Sequence, residues 1–290
     1  MTNSNLPPWQ PSDLPTLRAA YSDRTAALMA YLANFAYSPN IQSRGLIGVP
    51  PELGAIGFNR LTSFHNDLTD GWAYIAESEV IIVLAFRGTQ SISNWRTDFH
   101  TSLIHPPGTD PQLRVHQGFY NAFERLSDGA RGIKKAMEEL HSSRGNVPVY
   151  ITGHSLGGAL AQIAAAVLGS DQIAACYTFG SPRVGNSIFD LWVKPPSYRV
   201  INYADIVPQV PFPVPFILDY RHSGDPRYMP DQVSGSPYRF EPNILQRTAQ
   251  LVMGLIQLVR AGSILGIQDH QISEYCRKLN SIAVARSQSR

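Results

Sequence analysis

The hexapeptide Gly153-His154-Ser155-Leu156-Gly157-Gly158 constrains this chain more than any other stretch. It follows the β-rich run VPVYIT and precedes ALAQIAAAVL, a run of small apolar residues with helical character. A strand that passes through one tight turn directly into a helix is the context a Gly-x-Ser-x-Gly elbow needs. Glycines flanking the serine leave room for the turn. The serine is expected in strained backbone geometry, with its hydroxyl lifted above a sheet and the positive end of a helix dipole beneath it. In that setting the backbone N–H of Leu156 can face a developing oxyanion. Ser155 is therefore the candidate nucleophile.

The pattern around this elbow predicts a layered α/β architecture. Apolar positions recur at helical spacing over Leu17–Tyr37. Gly71–Ala76 and Val80–Phe86 read as paired strands, the second apolar enough to be covered on both faces. Phe119–Leu140 reads as one helix, Val147–Thr152 as a strand and Leu156–Leu168 as a closely packed helix. Ile173–Phe179 and Tyr198–Tyr203 are further strands, with a weaker one at Phe216–Arg221. Alternating strands and helices imply a largely parallel sheet with helices on its faces. With 290 residues, 43% of them hydrophobic, the chain can bury a large core. Net charge is +2 and charged residues make up 16%, without a basic block, so nucleic acid is not expected as a partner. No Cys/His cluster has zinc spacing and no Gly-rich loop fits a nucleotide, so neither metal nor cofactor is expected.

A serine hydroxyl needs a base, and the base needs an orienting carboxylate. Of the acids that follow Ser155, Asp205 stands just after the strand YRVINY, at the carboxyl end where sites in such sheets collect. Two histidines follow, His222 and His270, and position alone leaves the choice between them open. His116 and His154 read as structural hydrogen-bonders, and His65, His100, His105 and His141 as surface residues.

Six blocks then carry a resemblance: AFRGTQSISNW with Asp98, VHQGF, ITGHSLGGALA, FGSPRVGN, INYADIVPQVP and DHQISEY. In this order and spacing the chain resembles the class 3 lipases, the fungal-type triacylglycerol lipases and their relatives. The resemblance implies an α/β-hydrolase fold and a lipid ester as substrate, cleaved through an acyl-enzyme. It implies Ser155 as nucleophile, Asp205 as acid and His270 as base, with Thr89 joining Leu156 in the oxyanion hole. It also implies a short lid at residues 91–103 carrying Ile92, Trp95 and Phe99. Phe212 is a candidate for the acyl groove, with core packing equally open. A phospholipase or galactolipase acting on polar membrane lipids uses the same machinery and is the alternative; a non-catalytic binding module is a more distant one.

Residues 1–15 read as a loose tail. Residues 243–267 read as an amphipathic helix before His270, and a helix packed on the domain is favoured over a membrane-docking element. Cys176 lies in an apolar run and is expected as a buried free thiol. The N-terminal residues have neither a basic start nor an apolar stretch, so the expectation is retention in the cytoplasm, with peripheral contact to a membrane or lipid droplet left open. The pattern does not speak to oligomeric state.

Overall fold

The structure, a computed structural model, describes residues 6–16, 20–41, 45–89, 102–169, 171, 173–202, 205–211, 219–230 and 269–288. Ten strands are found among them. In chain order they are β1 (Gly45–Ile47), β2 (Arg60–Asn66), β3 (Gly71–Glu77), β4 (Ile82–Phe86), β5 (Leu103–Ile104), β6 (Val115–His116), β7 (Val149–His154), β8 (Ile173–Phe179), β9 (Ser197–Asn202) and β10 (Asp225–Met229). The helices are α1 (Asp23–Phe35), α2 (Pro51–Ala55), α3 (Gln117–Ser127), α4 (Ile133–Arg144), α5 (Leu156–Leu168), α6 (Ser187–Trp192) and α7 (Ile272–Gln288).

Eight strands form one sheet in the order β1-β2-β3-β4-β7-β8-β9-β10. The first four make an antiparallel meander, and β4, β7, β8, β9 and β10 run parallel. This is the largely parallel sheet that the strand–helix alternation predicts. Strand β4 shows why its sequence is apolar throughout. Side chains alternate across a strand, so Ile82, Leu84 and Phe86 join one core while Val83 and Ala85 join another on the opposite face. The first face is covered by α3 and α5, through Phe119, Phe123, Leu160 and Ile163. The second is covered by α1 and α7, through Leu28, Met29, Leu32, Tyr275 and Leu279. Helix α1 is apolar nearly all round because it is sandwiched between sheet and α7. Its start is fixed by the Ser22 side chain, which accepts the Thr25 N–H at 3.4 Å.

The structure corrects the sequence pattern in three places. The helix expected over Phe119–Leu140 is two, α3 and α4. Between them Asp128 is extended, at φ −85° and ψ 154°, which ends the first helix, and Gly129 follows in the left-handed region at φ +87°. The weak strand expected at Phe216–Arg221 is not a strand over its described residues: Arg221 makes only an isolated bridge to Gly185, and the sheet is extended instead by β10, whose register against β9 pairs Asp225 with Tyr198. Short and interrupted by a proline, DPRYM carries too little alternation to be read as an edge strand. His65 is not a loose surface residue either, since its ring stacks on Trp72 at 3.8 Å. The amphipathic segment 243–267, most of the candidate lid and Phe212 lie outside the described residues.

Candidate active site

Register places the carboxyl ends of the parallel strands side by side. Phe86 of β4 pairs with Gly153 of β7, and Phe179 of β8 pairs with both His154 and Val200 of β9. The segments leaving these ends, Arg87–Thr89, Ser155, Gly180 and Asp205, are therefore neighbours despite their separation in sequence.

Ser155 is buried, at 6% exposure, with φ +57° and ψ −128°. A non-glycine residue rarely adopts this geometry, and it costs about 1–3 kcal/mol. The turn is held by the Ser155 N–H, which donates to the Phe179 carbonyl at 2.9 Å. It also requires Gly157: a Cβ there would lie 2.3 Å from the Phe86 carbonyl oxygen. Without one, the start of α5 presses directly on the end of β4. The helix's own bonding begins with Gly158 N–H to Ser155 O at 2.9 Å. The Leu156 N–H precedes that bond and is a helix-end donor. Leu156 and Thr89 are both half-buried, and the loop carrying Thr89 abuts the serine, since a Cβ on Gly88 would lie 3.2 Å from Ser155 Cβ.

His270 is 1% exposed and sits in the turn before α7. Its Nδ1 lies 2.9 Å from Asp205 Oδ2 and 3.0 Å from Oδ1. A carboxylate accepts only, so Nδ1 carries the proton and Nε2 presents a lone pair. That Nε2 is buried and makes no hydrogen bond among the described residues. The Ser155 hydroxyl is thus not bonded to it in this arrangement, a looseness common in free sites that tighten on substrate. His222, the other histidine open on sequence, is not paired with Asp205.

Asp205 is buried and saturated with donors. Val207 N–H donates to Oδ1 at 2.9 Å and the Tyr275 hydroxyl donates to Oδ2 at 2.5 Å. The same hydroxyl accepts the Asn202 N–H at 3.0 Å. Burial, followed by the adjacent Asp205 charge, pushes the Tyr275 phenol well above its ordinary value, so it remains a donor. Asn202 also pins the residue before His270, its amide donating to the Asp269 carbonyl at 2.8 Å, while buried Lys278 donates to Asn202 Oδ1 at 2.7 Å. Gly180 closes the group from β8. It adopts φ +56°, and a Cβ there would lie 2.6 Å from Asp205 Oδ2 and 2.9 Å from His270 Nδ1.

Tyr275, Asn202 and Lys278 were not singled out in sequence; the DHQISEY block contains Tyr275, but nothing local shows that its hydroxyl reaches a carboxylate 70 residues away. His154 has the structural role expected of it, bonding the Tyr37 hydroxyl at 2.9 Å and the His270 carbonyl at 2.7 Å. His116 does too, capping α3 by accepting the Phe119 N–H at 3.3 Å. Ile92, Trp95, Phe99 and Phe212 lie outside the described residues, so their placement against this cluster is not part of its geometry. Among the described residues no group of His, Cys, Asp and Glu is arranged to hold a metal ion.

Known proteins similar to this chain are lipases. Residues 83–214 match the lipase (class 3) family. A secreted mono- and diacylglycerol lipase of Fusarium solani is 36% identical over 170 residues, covering 55% of this chain and 47% of the relative. A secreted mono- and diacylglycerol lipase of Penicillium cyclopium is 31% identical over 169 residues, covering 56% and 54%. The chain thus spans about half the length of these relatives. Both are named as secreted, which overturns the expectation of retention in the cytoplasm; the lack of a basic start and of an apolar stretch was too weak a signal to carry it. Among solved structures, lipase II from Rhizopus niveus superposes with a TM-score of 0.62 at 24% identity, covering 76% of this chain and 86% of that one. The Rhizomucor miehei lipase–propeptide complex gives the same score and identity over 76% and 75%. These likenesses show the α/β-hydrolase fold, and over residues 83–214, which hold the elbow, the Arg-Gly-Thr loop and the Asp205 loop, the chain is similar to the class 3 lipases.

Proposed function

We propose that this protein is a serine carboxylic ester hydrolase that cleaves acylglycerol esters, with Ser155 as nucleophile, His270 as base and Asp205 as its orienting acid. The observation that carries this reading is a buried imidazole whose Nδ1 is committed to a carboxylate at 2.9 Å and whose Nε2 has no hydrogen-bond partner among the described residues, beside a serine held in a strained elbow. In the acylation step Ser155 Oγ attacks the ester carbonyl carbon while His270 Nε2 takes the hydroxyl proton. The tetrahedral oxyanion is met by the Leu156 N–H and the Thr89 N–H, each such donor worth about a hundredfold or more in rate. Collapse breaks the ester C–O bond, and the imidazolium gives its proton to the departing alcohol. Water, deprotonated by the same nitrogen, then attacks the acyl-serine and releases the fatty acid, restoring Ser155. Asp205 stabilises the imidazolium without accepting its proton.

Acylglycerols are favoured as substrates by the names of the relatives, which include mono- and diacylglycerol lipases and a triacylglycerol lipase of Arabidopsis thaliana. Residues 91–103 remain our candidate lid, with Ile92, Trp95 and Phe99 as its apolar side chains, and Phe212 our candidate for the acyl groove. Peripheral contact with a lipid surface belongs to the same proposal. The test is purified protein and its Ser155→Ala variant on p-nitrophenyl butyrate and on a mixed lipid extract. Turnover that vanishes in Ser155→Ala, with fatty acid released from diacylglycerol or triacylglycerol, is expected. Undiminished turnover in the variant refutes the assignment, and release only from phospholipid or galactolipid moves the substrate class.

A further inference from the structure

Two loops must stand in fixed relation for this chemistry: Gly88–Thr89, which carries an oxyanion donor, and Asp269–His270, which carries the base. They arrive from opposite ends of the chain, and no bond between them is seen. Both are instead tied to one pair of side chains, Tyr37 after α1 and His154 at the end of β7. The Tyr37 hydroxyl is packed directly against Gly88, where a Cβ would fall on it. It lies 2.9 Å from His154 Nδ1, and His154 Nε2 lies 2.7 Å from the His270 carbonyl oxygen.

The directions of these bonds follow from what each group has to give. A carbonyl only accepts, so Nε2 must carry the imidazole proton and donate to His270 O. Burial, followed by the neighbouring His270, pushes the His154 imidazole well below its ordinary value, so the ring is neutral and has one proton to place. Nδ1 is then an acceptor, and the Tyr37 hydroxyl donates to it. Burial likewise raises Tyr37, so the phenol keeps its proton. The run from Tyr37 through His154 to His270 O therefore has one self-consistent polarity, and Gly88 abuts its Tyr37 end. The packing leaves no slack in it: a Cβ on Gly88 would fall on the Tyr37 hydroxyl and 2.6 Å from the His154 carbonyl oxygen, and the His154 and His270 rings stand 4.5 Å apart.

We propose that Tyr37 and His154 are positioning residues, a hydrogen-bonded strut that sets the distance between the oxyanion loop and the histidine loop by bonding the His270 carbonyl at one end and packing against Gly88 at the other. The proposal rests on the reading of Ser155 and His270 as nucleophile and base. Neither strut residue touches substrate; each acts through backbone groups that carry catalytic ones. Removing the Tyr37 hydroxyl leaves both loops attached to their strands but frees their separation. It also frees the His154 tautomer. A proton moved to Nδ1 would set the Nε2 lone pair against the His270 carbonyl and push that loop away. Displacements approaching 1 Å cost up to about a hundredfold in rate.

The experiment compares Tyr37→Phe, His154→Gln and His154→Ala with the parent enzyme. A glutamine amide can still donate to His270 O; alanine cannot. Steady-state kinetics on soluble p-nitrophenyl butyrate, thermal midpoints and 15N NMR of labelled histidine are read together. Expected are a kcat of Tyr37→Phe lowered about 10- to 100-fold with KM within about twofold, a midpoint close to the parent's, and His154→Gln more active than His154→Ala. In the parent, His154 is expected as the Nε2–H tautomer, and in Tyr37→Phe as a mixture. Parental kcat in Tyr37→Phe, or an Nδ1–H tautomer at His154 in the parent, overturns the strut; the second reading needs no variant to fold. Failure of the underlying reading looks different, because Ser155→Ala would then retain turnover whatever the His154 tautomer.

Discussion

Replacing Gly180 by alanine isolates what the close packing around the acid–base pair contributes. Two costs are separable there. The residue adopts φ +56°, a left-handed conformation that costs an L-amino acid about 1–2 kcal/mol. In addition, the new Cβ would stand 2.6 Å from Asp205 Oδ2 and 2.9 Å from His270 Nδ1. Ordinary contact begins at 3.4 Å, so the carboxylate must retreat by about 0.8 Å and the imidazole by about 0.5 Å. Neither has free room: Asp205 is held by Val207 N–H and the Tyr275 hydroxyl, and His270 by His154 through its carbonyl. Catalytic groups tolerate about 0.5 Å of error, and a 1 Å misplacement costs about a hundredfold. Gly180→Ala should therefore lower kcat by roughly 10- to 100-fold and stability by about 1–2 kcal/mol. Gly169→Ala is the control. At the end of α5 it has φ +45° but its nearest contact would be 3.6 Å away, so it carries the backbone strain without the clash. It should lose stability and keep kcat. The assay is p-nitrophenyl butyrate turnover alongside urea unfolding. Parental kcat in Gly180→Ala, or an equal loss in Gly169→Ala, refutes the packing argument.

Two further outcomes follow from strain and burial. Ser155→Gly relaxes the elbow that Ser155→Ala keeps strained; relief of about 1–3 kcal/mol against about 0.4–1 kcal/mol of added unfolded-chain freedom leaves the glycine variant roughly 1 kcal/mol more stable than the alanine variant. Both should be inactive, and equal urea midpoints would show that the turn stores no strain. Burial lowers the His116 imidazole from 6.5 to about 4. The unfolded chain then takes up this proton before the folded one does, so the stability this histidine allows above pH 6.5 is lost as pH falls toward 4, by about 3 kcal/mol. His116→Asn keeps an acceptor for the Phe119 N–H but cannot titrate, so its unfolding free energy should fall less steeply between pH 6.5 and 4; an unchanged slope would refute the assignment.

Legibility in the sequence followed the range of the interactions involved. The elbow could be read because strand, turn and helix are contiguous and the reason for each glycine is local. Asp205 could be read because a strand fixes where its carboxyl end lies. The single helix expected over Phe119–Leu140 failed where Asp128 turns extended ahead of the left-handed Gly129, a local break that helical periodicity outvoted, and β10 is hard to read because its apolar signal is short and broken by Pro226.

The sequence alone marked most of the central elements and singled out Ser155, because periodicity and turn chemistry act over a few residues. It left His222 and His270 level, and in the sequence only resemblance separates them. In the tertiary structure the His270 imidazole lies 2.9 Å from Asp205, with the Tyr275 hydroxyl on the same carboxylate and α7 packed against α1, and this supports His270 as the base in our reading. The places of Tyr37, His154 and Gly180 are likewise set only by the tertiary structure. A hydrogen bond or a contact between residues a hundred positions apart leaves no periodic trace in either segment, so what those residues hold in place becomes visible only when the sheet brings their strand ends together.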